Sequence, residues 1–226
     1  MSLRAVLFDV DFTLARPGPE LGPEGYVRAG ARHGLALDPG RYEEGRTAAL
    51  AALERHPELE HDDEIWFTFT ERIVLEMGGS RPRSYDCAVE ITRGWEQHEN
   101  FELYDDVVPV LDELRRVGLK IGLVSNSARD VHAFARHHAL DIDAGISSFF
   151  HGKTKPHASI FRAVLDLLTV APEEAAMVGD TIDADIDGAL AIGMRAVLVD
   201  RLDQHPGAER ITDLYALPEV LGVTRL

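Results

Sequence analysis

Short runs of apolar residues recur along this chain, and an acidic or small polar residue closes each of the clearest ones. A run that is short and apolar on both faces is typical of a buried strand in a parallel sheet. This pattern predicts strands over 3–9, 120–125, 175–180 and 195–200, and a weaker one over 147–151.

Apolar residues at helical spacing lie between these strands. Over 107–117 the pattern is carried by Val108, Leu111 and Leu114, and Gly118 follows as a C-terminal cap. Similar patterns predict helices over 131–138, 159–168 and 185–192. Strands that alternate with helices from about residue 103 onward indicate an α/β fold, a Rossmann-like parallel sheet core with helices on both faces.

Residues 15–100 follow another pattern. After the Pro17-Gly18-Pro19 stretch we find no strand pattern, and four helices are predicted, over about 23–34, 40–56, 62–77 and 84–98. The simplest arrangement is a helical-bundle cap inserted over 15–100, just after the first strand. An α/β catalytic core would then comprise 1–14 and 101–226.

Composition narrows the class of protein. Of the 226 residues, 45% are hydrophobic and 27% are charged, which is globular rather than disordered composition. No apolar run approaches the roughly 18 residues that span a bilayer, and the N-terminus does not resemble a signal peptide. The single cysteine, Cys87, cannot form an internal disulfide, which favours a reducing cytoplasm.

The net charge of −16 disfavours two kinds of partner, nucleic acid and anionic membranes, because both repel a negative surface. A small anionic substrate would need local positive charge, most simply from a divalent cation. The oligomeric state is open at this stage.

Polar side chains collect where the predicted strands end. Asp9 and Asp11 follow the first strand, Ser125 and Asn126 the second, and Asp180 a later one. Since ligands of open parallel sheets bind at the carboxyl ends of strands, we expect these groups to share one site. Clustered carboxylates repel one another unless a cation holds them, and hard oxygen ligands suit Mg²⁺.

The side chains collected at the strand ends are of the kinds that catalyse phosphoryl transfer. An aspartate can attack phosphorus, and a second carboxylate can protonate the leaving oxygen. Hydroxyl and N–H donors after a strand form an anion site. Lys155, followed by Pro156, could neutralise developing negative charge.

In sequence order these residues resemble the four motifs of the haloacid dehalogenase-like hydrolase superfamily, in its helical-cap phosphatase group. The matches are Asp9-Val10-Asp11-Phe12-Thr13, Ser125, Lys155-Pro156, and Gly179-Asp180 through Asp185. Phe12 departs from the glycine that many members have at that position. The resemblance covers the whole chain, since the predicted cap lies where that group inserts it.

The resemblance implies a role for each matched residue. Asp9 would be nucleophile and Mg²⁺ ligand, and Asp11 would be general acid/base and touch the metal through its backbone carbonyl. Asp180 would ligate Mg²⁺, and Asp185 would ligate it or orient its waters. The remaining residues would bind the substrate phosphate and stabilise its charge: Thr13 (which also supports the loop), Ser125, Asn126 and Lys155, with Lys153 as the rival lysine.

The implied activity is a Mg²⁺-dependent phosphatase that hydrolyses a small phosphorylated metabolite through an aspartyl-phosphate. Asp11 argues against a dehalogenase, and the absence of lysine from 15–100 argues against a phosphonatase that forms a Schiff base. Two alternatives are left: a phosphomutase acting on a sugar phosphate, and a non-enzymatic binding module that kept the fold.

Overall fold

A computed structural model describes residues 2–223 of the chain. Contacts divide the chain into two compact units, one formed by Met1–Arg16 with Leu103–Leu226 and the other by Pro17–Glu102. Within the described residues, no helix has the length and apolar character needed to cross a membrane.

Within residues 2–223, seven strands form two sheets. In chain order they are β1 (Ala5–Phe8), β2 (Ala15–Pro17), β3 (Phe101–Leu103), β4 (Lys120–Ser125), β5 (Ala144–Ser147), β6 (Ala175–Gly179) and β7 (Arg195–Leu198). Five of them form a parallel sheet in the order β5-β4-β1-β6-β7. The short strands β2 and β3 pair where the chain passes from one unit to the other.

The described part of the chain also contains ten α-helices. In chain order they are α1 (Pro23–Arg32), α2 (Tyr42–Ala51), α3 (Asp63–Glu76), α4 (Arg83–Gly94), α5 (Val107–Arg116), α6 (Val131–His137), α7 (Ser148–His151), α8 (Ala158–Leu168), α9 (Gly188–Leu190) and α10 (Leu217–Leu221). The predicted α/β class with a Rossmann-like parallel core is confirmed.

Strand β1 lies at the centre of the sheet and is buried on both faces. Ala5 and Leu7 pack in a core cluster with α8, through side chains such as Phe161. Val6 and Phe8 alternate with them, so they point to the opposite face, where they are equally inaccessible to solvent. Two covered faces explain why this segment is an unbroken apolar run.

The register of the sheet aligns the ends of three strands. Phe8 pairs with Leu123 of β4 and with Val178 of β6. β1 ends at this level, β6 ends one residue later at Gly179 and β4 two residues later at Ser125, so the three carboxyl ends lie at one edge of the sheet. At this edge the Asp9 N–H donates to the Val178 carbonyl over 2.9 Å.

One predicted strand is wrong. The strand here is Ala144–Ser147, and the predicted segment 147–151 instead forms α7. The apolar residues that suggested a strand, Phe149 and Phe150, are 50% and 67% exposed, so their hydrophobicity does not report burial. Gly152, with φ of +86°, ends the helix in the left-handed region that glycine tolerates.

Other boundaries shift less. The helix predicted over 40–56 ends at Ala51, and β2 lies in a region where no strand was expected. The segment predicted as a helix over 185–192 begins earlier, as a π-helix over Ile182–Asp187 that leads into α9. A π-helix in this position changes which side chains point inward.

The second unit, Pro17–Glu102, holds α1 to α4 around its own core. Its buried side chains include Tyr26, Ile73 and Met77, together with the single cysteine, Cys87. Burial raises the pKa of the Cys87 thiol to about 11, so this cysteine packs as a small apolar residue.

Candidate active site

Asp9 occupies the centre of the site because β1 is the central strand and Asp9 is the first residue beyond it. The residue is 7% exposed, and its Oδ1 lies 2.5 Å from Nζ of Lys155. A carboxylate that is this buried needs a compensating charge, which Lys155 supplies.

Lys155 approaches from the segment between α7 and α8. Its ammonium group is 2% exposed and also lies 2.7 Å from Oδ1 of Asp185. Burial opposes the charged form of the lysine, but Asp185 and Asp9 together outweigh it and raise its pKa. Lys155 is therefore a cation at neutral pH.

Asn126 fixes the main chain of Lys155. The Lys155 N–H donates to Oδ1 of Asn126 over 2.7 Å, and Nδ2 of Asn126 donates to the Lys155 carbonyl over 3.0 Å. The sequence analysis assigned Asn126 to phosphate binding. The structure adds a positioning contact that the motif does not reveal, because it joins residues 29 positions apart.

Asp180 and Asp185 enter from the segment after β6. Asp185 is 1% exposed, and its Oδ2 accepts a hydrogen bond from the Thr181 N–H over 3.0 Å. The π-helix brings Asp185 inward, whereas Asp183 and Asp187 of the same segment are exposed. Of these three similarly spaced acids, Asp185 is the one that lies with Asp9 and Asp180.

Gly179 makes room for Asp185. A Cβ built on Gly179 would lie 2.3 Å from Cγ of Asp185, a distance that no real Cβ adopts. Any side chain at this position would force the carboxylate away. The glycine of the Gly179-Asp180 pair is thus required by a close approach.

The three acids form a cluster with a cation-binding composition. Asp9, Asp180 and Asp185 each offer an oxygen within 4.8 Å of the others. With all three ionised, the charge of Lys155 leaves two negative charges uncompensated. An all-oxygen set with this charge fits a hard divalent cation such as Mg²⁺.

The pKa values of the cluster reflect this excess of negative charge. Burial raises the pKa of Asp9 well above its usual range; Lys155 opposes the shift, and the neighbouring carboxylates add to it. Burial, followed by the charge of Asp185, raises the pKa of Asp180 to about 7. Both shifts indicate that ionisation of all three carboxyl groups is unfavourable without further positive charge.

Asp11 does not belong to the cluster of three. Its carboxylate faces Arg129, whose Nη1 donates to Oδ1 over 2.9 Å and whose Nη2 donates to Oδ2 over 3.4 Å. The resemblance assigns Asp11 to the metal through its backbone carbonyl, so this placement of the side chain is compatible with that role. Arg129 was not singled out from the sequence, because no local pattern indicates its partner.

Ser125 and Thr13, the two hydroxyl residues predicted to bind the substrate phosphate, are buried. Ser125 Oγ lies 2.9 Å from Oγ of Ser127 at the end of β4. Thr13 is inaccessible to solvent, and its carbonyl accepts a hydrogen bond from Nε of Arg201 over 3.0 Å. Phosphate binding by Thr13 and Ser125 stays a prediction.

A family model described as haloacid dehalogenase-like hydrolase matches residues 3–193. The chain belongs to this family. The matched region contains Asp9, Asp11, Lys155, Asp180 and Asp185. The resemblance inferred from the four motifs is therefore confirmed.

Relatives in the haloacid dehalogenase-like family carry phosphatase names. The chain is 31% identical to glyceraldehyde 3-phosphate phosphatase of Methanopyrus kandleri over 222 residues, which covers 88% of this chain and 84% of the relative. It is 29% identical to ribulose-1,5-bisphosphate 5-phosphatase of Halopiger xanaduensis, with 91% and 88% covered.

A solved structure shares the fold. The haloacid dehalogenase-like phosphatase of Thermococcus onnurineus superimposes with a TM-score of 0.69 at 24% identity, covering 99% of this chain and 100% of that one. At this level of identity the likeness concerns the fold alone.

Proposed function

We propose that this chain is a Mg²⁺-dependent phosphatase that hydrolyses small phosphate esters through an aspartyl-phosphate on Asp9. Its membership of the family and its phosphatase relatives make it a phosphoric monoester hydrolase. The metal, the intermediate and the residue roles are the parts that this proposal adds.

One observation carries the proposal: the contact of Lys155 with Asp9 inside a cluster of buried acids. Lys155 holds Oδ1 of Asp9, which fixes the side chain and leaves Oδ2 as the attacking oxygen. A nucleophile must be fixed and must also meet an anionic phosphoryl group without strong repulsion. Lys155 serves both needs, since its charge faces the nucleophile.

The chemistry has two steps. In the first, Asp9 Oδ2 forms a bond to phosphorus, the bond from phosphorus to the ester oxygen breaks, and Asp11 gives that oxygen a proton. In the second, Asp11 takes a proton from water, whose oxygen attacks phosphorus and displaces the Asp9 carboxylate. The products are the alcohol and inorganic phosphate, and Asp9 and Asp11 return to their starting states.

Asp9, Asp180 and Asp185 would hold Mg²⁺, with the main-chain carbonyl of Asp11. When bound, Mg²⁺ supplies positive charge that neutralises the phosphoryl oxygens and offsets the excess charge of the acids. Asp185 also contacts Lys155, so its carboxylate orients the lysine whether it ligates the metal directly or through water.

The substrate class follows from the relatives. The two relatives described above are named for small phosphorylated sugars or sugar derivatives. We therefore infer a small phosphate ester as substrate for this chain. These relatives favour hydrolysis over the phosphomutase reaction, which would return the phosphoryl group to the sugar.

A screen of phosphorylated metabolites with Mg²⁺ tests the proposal. Wild type should release inorganic phosphate, and chelation of the metal should stop it. Asp9→Asn should lose roughly 10³-fold or more of the turnover, because an amide cannot form the acyl phosphate. Asp187→Asn, which alters an exposed acid of the same type, is the matched control.

Two outcomes would contradict the proposal. Undiminished phosphate release by Asp9→Asn would place the nucleophile elsewhere. An isomerised sugar phosphate without free phosphate would instead indicate the phosphomutase.

A further inference from the structure

Arg129 is the largest side chain in the described part of the molecule that solvent does not reach, with 1% of its surface exposed. A buried guanidinium is costly unless a charged group compensates it. Its carboxylate partner is Asp11, 118 positions away in the chain. The fold thus brings a buried cation to the residue that the proposed mechanism uses as acid and base.

The backbone and the guanidinium of Arg129 both have neighbours that restrict them. Asp130, the next residue, caps α6 by accepting hydrogen bonds from the His132 and Ala133 N–H groups, which fixes the backbone beside Arg129. Cζ of Arg129 lies 5.3 Å from the centre of the Phe134 ring. With its backbone and ring neighbour fixed, the planar group can orient a carboxylate accurately.

The two contacts with Asp11 are unequal. Nη1 approaches Oδ1 at 2.9 Å, a normal hydrogen bond, whereas Nη2 to Oδ2 is 3.4 Å. Oδ1 is therefore the anchored oxygen, and Oδ2 is the one left to exchange a proton. Asp11 is also partly exposed, with 23% of its side-chain surface accessible, so a reacting group can reach it.

The geometry points to Arg129 as the positioning residue of Asp11: it anchors Oδ1 so that Oδ2 faces the leaving oxygen. This inference rests on the proposed function. The contact that links Arg129 to the proposed chemistry is its ion pair with Asp11. A variant without Arg129 should then show the defects of an impaired general acid and base, Asp11, rather than those of an impaired nucleophile, Asp9.

The dependence of the reaction rate on the leaving group distinguishes a defect in Asp11 from a defect in Asp9. An alkyl phosphate needs protonation of its leaving oxygen, whereas p-nitrophenyl phosphate needs little. Arg129→Met should slow the first step, measured as the pre-steady-state release of the alcohol, by about 10²-fold for the alkyl ester and by less than about tenfold for p-nitrophenyl phosphate. The second step should slow equally for both esters, because it starts from the same phosphoenzyme. Arg129→Lys, which keeps the charge without the paired contacts, should fall between wild type and Arg129→Met.

A double-mutant cycle completes the test. In an Asp11→Asn background, Arg129→Met should cause almost no further loss, because the group that it positions is already gone. Arg136→Met, an exposed arginine of α6, is the matched control and should behave as wild type.

Equal losses in the rate of the first step on both esters, or full additivity with Asp11→Asn, would overturn the inference. If Arg129→Met does not fold, Arg129→Lys is assayed in the same cycle, and the same two results decide. Failure of the proposed function has a different signature: wild type would lack phosphatase activity, or Asp9→Asn would retain it. That result would overturn both.

Discussion

Nζ of Lys155 lies 2.5 Å from Oδ1 of Asp9, so the cation and the acid at the centre of the site form one buried pair. The same nitrogen reaches Asp185, which joins the segment after β6 to the end of β1. One side chain therefore holds together two of the three acids of the cluster.

Removing the Lys155 cation should damage both catalysis and stability. Lys155→Met should lower kcat by roughly 10²–10³-fold, because the nucleophile loses its orienting charge. It should also destabilise the fold by about 3–5 kcal/mol, since buried acids are left without their partner. Lys153→Met is the matched control. Steady-state kinetics and denaturant unfolding measure the two effects, and wild-type kcat in Lys155→Met would contradict the assignment.

Asp185 and Asp187 allow a matched comparison, because the π-helix buries the first and exposes the second. Asp185→Asn should weaken Mg²⁺ affinity by roughly tenfold or more, since it removes an acid that ligates the metal or orients its waters. Asp187→Asn should leave the affinity unchanged. Titration of Mg²⁺ by calorimetry measures both, and identical affinities in the two variants would remove Asp185 from the metal site.

The raised pKa of Asp180 predicts how the metal-free protein responds to pH. The pKa is about 7 in the fold and near 3.8 in the unfolded chain, so the folded state binds the proton more tightly. This contribution to stability is complete below about pH 4 and is lost as the pH rises through about 7. Metal-free protein should therefore lose stability over this interval.

Two further measurements check the source of that pH dependence. Asp180→Asn should flatten the slope, because the amide does not titrate. Saturating Mg²⁺ should also remove much of it, because the metal binds the ionised carboxylate. A stability that increases between pH 4 and 7 in metal-free wild type, and equally in Asp180→Asn, would show that Asp180 does not dominate.

Gly179→Ala tests the close approach of Asp185. The new Cβ would overlap the carboxyl group, so we expect a loss of about 1–3 kcal/mol in the free energy of unfolding and weaker Mg²⁺ binding. Gly207→Ala is the control, because nothing lies within 4 Å of a Cβ there. Equal stability and Mg²⁺ affinity in the two variants would show that Asp185 adjusts freely.

Much of the core fold could be predicted from the sequence, because its central strands are buried on both faces. β1, β4 and β6 are short apolar runs for that reason, whereas the edge strand β7 is buried only at Val197 and Leu198. The failure at α7 has the opposite cause: exposed aromatic side chains gave the same pattern as buried ones.

Other features depend on contacts that no local pattern contains. Arg129 forms an ion pair with Asp11, which is distant in sequence. Asn126 likewise forms hydrogen bonds with the distant main chain of Lys155. Phe12 departs from the glycine that the motif resemblance suggests at that position. The structure places Phe12 at φ of +63°, a conformation that costs a side chain roughly 1–3 kcal/mol.

The phosphoenzyme tests the central claim most directly. Asp11→Asn with p-nitrophenyl phosphate should complete the first step and stall at the second, because the leaving group needs no acid while the water needs a base. We predict a burst of one p-nitrophenol per enzyme. Acid quench and peptide mass spectrometry should then find the phosphoryl group on Asp9. A phosphoryl group on any other residue, or steady release without a burst or a labelled peptide, would contradict the account.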